Sequence, residues 1–178
     1  EKFFPADKII KTGNPIRKDA VNIAGKHMQA LELYHLSHFK KTILITGGSL
    51  GARTLNNSIM NGIDKLLAAD VQVIWQTGKF YYKSIIEKLG ENYHPDLQIR
   101  EFLTRMDLAY AAADIIISRA GAGTIAELCA IKKPVILVPV GLLTQLPPDQ
   151  VEAILLHELA HIRRKDFLVN LLESIAET

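Results

Sequence analysis

From residue 42 onward, short apolar runs alternate with amphipathic stretches. Thr42-Ile43-Leu44-Ile45-Thr46 is rich in β-branched residues and stops at Gly47-Gly48. Val71-Gln72-Val73-Ile74-Trp75, Leu97-Gln98-Ile99-Arg100, Ile115-Ile116-Ile117-Ser118 and Val135-Ile136-Leu137-Val138 follow the same pattern. Apolar runs this short, bounded by glycine or proline, predict buried strands. The intervening segments predict helices over about 49–67 (with Ser49 as the cap), 79–89, 106–112 and 124–130. Strand and helix in alternation imply βαβ units. The expected fold is therefore α/β and Rossmann-like, with a parallel five-stranded sheet and helices on both faces. Ligands of such sheets sit at the carboxyl ends of the strands. Upstream, residues 1–17 read as loop and short extended pieces, and 18–38 as helix-permissive.

After Pro139 the pattern changes. Pro147-Pro148 close what precedes them and can open a new helix. Val151, Ile154, Leu155, Leu159, Ile162, Leu168, Leu171, Leu172 and Ile175 recur at threes and fours, which predicts one long amphipathic helix over 148–176. An apolar stripe of that length needs a partner, either the sheet domain or a second copy of the chain in a homo-oligomer. The expected domains are 1–139 and 140–178.

Composition narrows the class. With 48% hydrophobic and 22% charged residues, disorder of the whole chain is excluded. Cys129 is the one cysteine, so a disulfide scaffold is excluded; it suits a reducing compartment or a small buried position. A net charge of +2 gives no argument for nucleic acid, which is not expected as a partner. No apolar run reaches the ~18 residues of a spanning helix. The chain opens on Glu1-Lys2-Phe3-Phe4-Pro5, without Met or a signal segment, and reads as an excerpt of a longer protein.

Two strands run into glycine-rich turns that lead to helices: Thr46-Gly47-Gly48-Ser49-Leu50-Gly51-Ala52 and Ser118-Arg119-Ala120-Gly121-Ala122-Gly123-Thr124. Glycine lets the backbone approach a bulky anion, and a helix N-terminus offers free N–H groups and partial positive charge. Ser49 and Thr124 add hydroxyls, Arg119 adds charge, and Glu127 offers a carboxylate to ribose hydroxyls. Either turn alone would equally suit a tight βα connection without a ligand. Two on neighbouring units point to a nucleotide diphosphate. Neither is a Walker loop and neither fits Gly-x-Gly-x-x-Gly.

Together with Thr12-Gly13-Asn14-Pro15-Ile16-Arg17, Gln76-Thr77-Gly78-Lys79 and the continuation Ile125-Ala126-Glu127-Leu128, these turns resemble the MurG family of glycosyltransferases (family 28) over about residues 1–139. The family moves GlcNAc, with inversion, from UDP-GlcNAc to lipid-linked muramoyl-pentapeptide in peptidoglycan synthesis. The resemblance implies half of a two-domain GT-B fold, the donor-binding C-terminal domain. It implies that Arg17 and Ser49 contact the donor diphosphate, that Leu103 lies by the uracil, that Gly123 and Thr124 meet the α-phosphate, and that Glu127 binds the ribose. It implies no cofactor, and a cytoplasmic location peripheral to the bacterial plasma membrane. The family's acceptor-binding domain and its general base are absent from this stretch. Val140-Gly141-Leu142-Leu143 stands where the family reads the sugar. The lipid-linked acceptor would be reached only through that domain, and the isolated chain is expected to be inactive.

His157-Glu158-Leu159-Ala160-His161 places two imidazoles four apart on one helix face, where both can reach one metal. Glu158 would then polarise a zinc-bound water, as in zincin peptidases. A helix with two surface histidines fits the same five residues. Residues 131–178 resemble BlaR/MecR-type membrane zinc metallopeptidases, whose third ligand is expected downstream of His157 and His161. Residues 131–139 suit both families, so a join there would give a chimera. The expectations are therefore a donor domain, alternatively a zinc peptidase, or a fragment with neither activity.

Overall fold

The computed structural model describes residues 16–90, 93–138, 147, 149–150, 153–154 and 156–157. Its elements run α1 (Lys18–Val21), α2 (His27–Leu33), β1 (Lys41–Thr46), α3 (Arg53–Ala68), β2 (Val71–Gln76), α4 (Tyr82–Leu89), β3 (Leu97–Arg100), α5 (Met106–Ala112), β4 (Ile115–Arg119), α6 (Ala122–Ile131) and β5 (Val135–Val138). All strand pairs are parallel, in the order β3-β2-β1-β4-β5. The expected sheet is present strand for strand.

Strand alternation divides the core into two layers. Ile43, Ile45, Val73, Trp75 and Ile117 point to one face, against Leu55, Ile59 and Ile63 of α3 and Ile85 of α4. Leu44, Ile74 and Ile116 point to the other, against α2, α5 and Leu128 and Ile131 of α6. Helices on both faces explain why the strands read as unbroken apolar runs.

The helix-permissive stretch 18–38 is two short helices rather than one. Val21–Lys26 turn the chain, with Ile23 N–H on the Val21 carbonyl and Gly25 at φ 70°. Cys129 is exposed, which removes the small buried position from the two alternatives offered for it. Glu127, Leu128 and Ile131 form the buried side of α6, and Cys129 falls on the other. Of the long helix expected over 148–176, residues 149–150, 153–154 and 156–157 are helical. The remainder, with Glu158 and His161, lies outside the described residues. No described helix is long and apolar enough to cross a membrane.

Buried polar groups fix the loops. Gln72 is fully buried on β2. Its amide donates to the Ser37 carbonyl (2.7 Å) and the Thr42 hydroxyl (2.9 Å) and accepts from Ser37 N–H, tying the segment before β1 to the sheet. Lys133 donates from Nζ to the carbonyls of Ala111 and Ala113, capping the C-terminal end of α5. At the other end of α5, Asp107 takes two bonds from Arg105 (2.9 and 2.8 Å) and one from Lys26 (2.7 Å). The Arg105 bonds foremost, then that of Lys26, hold the Asp107 carboxyl well below the usual carboxylate range.

A carboxyl whose folded value is depressed stabilises above its unfolded value, near 4, and that stability is lost as pH falls toward the folded value. The unfolding midpoint is therefore expected to fall between about pH 5 and pH 2, and Asp107→Asn to flatten that part of the profile. Both cations are partly exposed, so the variant should lose about 1–2 kcal/mol at neutral pH. Thermal unfolding followed across pH checks this; a midpoint profile as steep in the variant as in the parent refutes it.

Candidate functional site

The strand register sets the floor of the site. Arg100 pairs with Gln76, Gln76 with Thr46, and Thr46 with Ser118, so the last residues of β3, β2 and β1 form one row with the penultimate residue of β4. Gln76, Thr46 and Ser118 are all buried and polar. They end apolar runs because the sheet opens here into a cleft of about 460 Å³. The cleft lies where β1 and β4 meet, the point at which the sheet order reverses. Both glycine-rich turns contribute to its walls.

Gln76 holds that floor together. Its amide donates to Thr46 Oγ1 (3.2 Å) and its Oε1 accepts the Leu103 N–H (3.0 Å). The loop after β3 is thereby fixed to the ends of β1 and β2. Leu103 is buried, while Phe102 beside it is half exposed; both line the cleft.

The first turn is shaped by glycine. Gly48 and Gly51 both have positive φ, and Gly51 N–H donates to the Gly48 carbonyl (3.0 Å). This closes a tight turn, so Ser49 does not cap α3. The helix starts at Arg53 after Ala52, with no side-chain cap bond, and Ser49 stays exposed on the lip of the cleft. The turn after β2 buttresses it. Lys79 N–H donates to the Ser49 carbonyl (3.1 Å), and Gly51 and Gly78 meet backbone to backbone. A Cβ on Gly78 would lie 2.2 Å from Gly51 N. Asn56 completes the support: it donates to the Thr77 carbonyl (2.8 Å) and accepts from Trp75 Nε1 (3.1 Å).

The second turn leads into α6, whose N-cap is Gly121. Gly123 and Thr124 fall in its first turn, where backbone N–H groups have no intrahelical acceptor. Arg119 reaches back across the cleft, its Nη1 3.4 Å from the Gly47 carbonyl and 3.5 Å from that of Gly51. A guanidinium so placed, next to two glycine turns, makes the end of the cleft receptive to an anion.

Glu127 stands in the second turn of α6 and is buried. Arg17 grips it with two bonds, Nε to Oε1 at 2.8 Å and Nη2 to Oε2 at 3.2 Å. The Tyr110 hydroxyl donates to Oε2 at 3.2 Å. The bond to Glu127 raises the Arg17 pKa further. Burial foremost, with the Glu127 charge, pushes the Tyr110 hydroxyl far above its ordinary value. Tyr110 therefore remains a donor at any physiological pH.

Of the residues singled out in the sequence, Arg17, Ser49, Leu103, Thr124 and Glu127 line this one cleft. Gly123 is exposed beside it. Arg17 and Glu127, which the family resemblance assigned to diphosphate and ribose, are bonded to each other. His157 is exposed, and His161 and Glu158 lie outside the described residues. Among the described residues no group of three or more metal-ligating side chains occurs. Sequence reasoning missed Gln76 as a tie between loops, Tyr110 and Asn56. For Gln76 a signal existed: a polar residue directly after an apolar strand, level with Thr46 and Ser118. Tyr110 and Asn56 are ordinary residues of amphipathic helices and give none.

Sheet order, layers and the position of the cleft define a doubly wound, Rossmann-like α/β domain with its site at the topological switch point. The chain belongs to glycosyltransferase family 28: the model of the Glycosyltransferase family 28 C-terminal domain matches residues 42–144. Similar curated proteins are named UDP-N-acetylglucosamine--N-acetylmuramyl-(pentapeptide) pyrophosphoryl-undecaprenol N-acetylglucosamine transferase. One from Parabacteroides distasonis is 55% identical over 139 residues, 78% of this chain and 38% of that protein. One from Flavobacterium psychrophilum is 50% identical over 139 residues, 78% of this chain and 37% of that protein. The chain thus spans well under half the length of these relatives. A crystal structure of Acinetobacter baumannii MurG shares the fold, with a TM-score of 0.54 at 21% identity over 88% of this chain and 49% of that one. A second family model, BlaR1 peptidase M56, matches residues 126–178 and overlaps the first over 126–144.

Proposed function

We propose that this domain binds the nucleotide end of a UDP-sugar donor, UDP-GlcNAc, for inverting transfer to a lipid-linked acceptor. The observation that carries the reading is the convergence, in one cleft, of two glycine turns, Arg119 and the buried carboxylate of Glu127. The diphosphate would lie between Ser49 and the first turn of α6, at Gly123 and Thr124. The uracil would lie by Phe102 and Leu103, and the ribose by Glu127. In the transfer, an acceptor hydroxyl attacks the anomeric carbon and the bond to UDP breaks. The electron pair leaves on the diphosphate, where Arg119 and the α6 N-terminus stabilise it. Glu127 is the one carboxylate among the described residues of the cleft, and it is engaged. The base that takes the acceptor's proton is therefore not a carboxylate among the described residues of the cleft, and on this reading the chain supplies the donor half.

Calorimetry on the 178-residue chain tests the reading. UDP is expected to bind at one site, about tenfold or more tighter than uridine, because charge-assisted bonds to the phosphates add to those of the nucleoside. Absence of UDP binding at millimolar concentration would refute it.

The peptidase-model match over 126–178 favours a second reading, in which a zinc-peptidase helix carrying His157, Glu158 and His161 is joined to the donor domain. Two imidazoles alone are fewer ligands than the three of a catalytic zinc site. Zinc added to the same sample is expected to bind weakly and to leave UDP binding unchanged.

A further inference from the structure

We infer that Arg17 is a specificity-determining residue that closes Glu127 to nucleosides and opens it to nucleoside diphosphates. The inference rests on the nucleotide reading above and concerns how the ribose carboxylate becomes available.

The argument is a count of acceptor positions. A carboxylate has two oxygens with about four lone-pair positions between them. Arg17 Nε occupies one on Oε1, and Arg17 Nη2 and the Tyr110 hydroxyl occupy two on Oε2. About one position is left, whereas a ribose diol that donates both hydroxyls needs two. One of the present donors must leave before the diol can engage fully. Tyr110 is 2% exposed and packed among α5, β1 and β4, so its hydroxyl stays. The Arg17 side chain is 58% exposed and that of Glu127 9%. Arg17 is the donor with room to move, and an ion pair with so exposed a partner is cheap to exchange.

A diphosphate supplies the exchange partner. Arg17 lines the same cleft as Gly48, Ser49 and Arg119. A guanidinium forks onto phosphate as well as onto carboxylate. A bound diphosphate therefore draws Arg17 from Glu127 and exposes the carboxylate to the diol. A nucleoside brings no such anion and must displace Arg17 uncompensated. Its apparent affinity is lowered by the fraction of molecules in which Glu127 is held. Tyr110 keeps its bond in both states and is the positioning residue that fixes the carboxylate.

The test is calorimetry of UDP, uridine and 2′,3′-dideoxyuridine against the full chain and its Arg17→Gln variant. UDP should weaken about tenfold or more, from loss of a charge-assisted phosphate contact. Uridine should bind about three- to tenfold tighter, because the competitor for Glu127 is gone. Dideoxyuridine, which has no diol, should gain nothing. Arg17→Lys keeps the charge without the fork and should fall between parent and Arg17→Gln for both ligands, which covers the case of a poorly folded Gln variant. Uridine that weakens or is unchanged in both variants overturns the inference, as does an equal gain for dideoxyuridine. If the parent chain binds UDP and only these outcomes fail, the nucleotide reading stands; if it does not bind UDP, both fall.

Discussion

Gly78→Ala is expected to lower the unfolding midpoint by about 10 °C and to abolish UDP binding by the protein that remains folded. Gly78 has φ 83°, and a Cβ there would sit 2.2 Å from Gly51 N and 2.4 Å from Gly51 Cα. These are backbone atoms that no rotamer change can move aside. Either the turn after β1 shifts or the turn after β2 does. Both shifts break the Lys79 N–H bond to the Ser49 carbonyl and displace the glycine turn that would face the diphosphate. Positive φ and the clash together should cost about 3–5 kcal/mol. Gly90→Ala is the control. Gly90 has φ 85° but nothing within 4 Å of its added Cβ, so it should lose only about 1 kcal/mol. Circular-dichroism melts of the two variants make the comparison. Equal midpoints for Gly78→Ala and Gly90→Ala would remove the buttress argument.

Glu127→Gln is expected to weaken UDP by about tenfold to a hundredfold, and uridine severalfold less because Arg17 already holds the carboxylate against a nucleoside, while leaving pyrophosphate binding no weaker than in the parent. The substitution keeps the shape and removes the charge that, on the proposed reading, would receive the ribose hydroxyls. It also releases Arg17, which then has only the anion to pair with, so the phosphate end of the cleft loses nothing. The buried Tyr110 hydroxyl keeps an acceptor in the Gln carbonyl, which limits the cost to folding. Titration of the three ligands into parent and variant decides the point. Equal losses for pyrophosphate and uridine would show that Glu127 does not serve the ribose.

The peptidase-like segment bears on neither result. Residues 126–131 of its match are α6, and 135–138 are β5, both integral to the sheet domain. Leu128, Ile131 and Ile136 are buried in the two core layers, so this part of the match is committed to packing.

Much of the architecture was legible in the order of residues. Five apolar runs gave five parallel strands, because a strand buried on both faces needs side chains that favour neither. The turns 46–52 and 118–124 marked the cleft: positive φ at Gly48 and Gly51 shapes the first, and the second delivers the N-terminus of α6. The apolar period did not resolve 18–38, where a glycine turn splits one amphipathic stretch into α2 and a separate turn of helix. It also misplaced the start of α3: Ser49 has cap chemistry, but the positive φ of Gly51 decides where the helix begins. Local propensity gave way to the fit of Gly51 against Gly78, residues 27 positions apart in sequence.

The sequence by itself determined the fold class, the strand ends that face the cleft, and the residue types that could hold a nucleotide. Only the tertiary structure decided what each of those residues is bonded to. Arg17 and Glu127 are separated by 110 positions and meet because α6 packs beside α1, a juxtaposition no spacing encodes. Gln76 joins the ends of β1 and β2 to the loop after β3 because the register sets Thr46 beside it, and Tyr110 reaches Glu127 because α5 and α6 share one face of the sheet. Apolar periodicity depends on burial, which a single segment shows in its own pattern. Hydrogen bonds between distant side chains depend on ångström-scale positions that only the assembled sheet fixes.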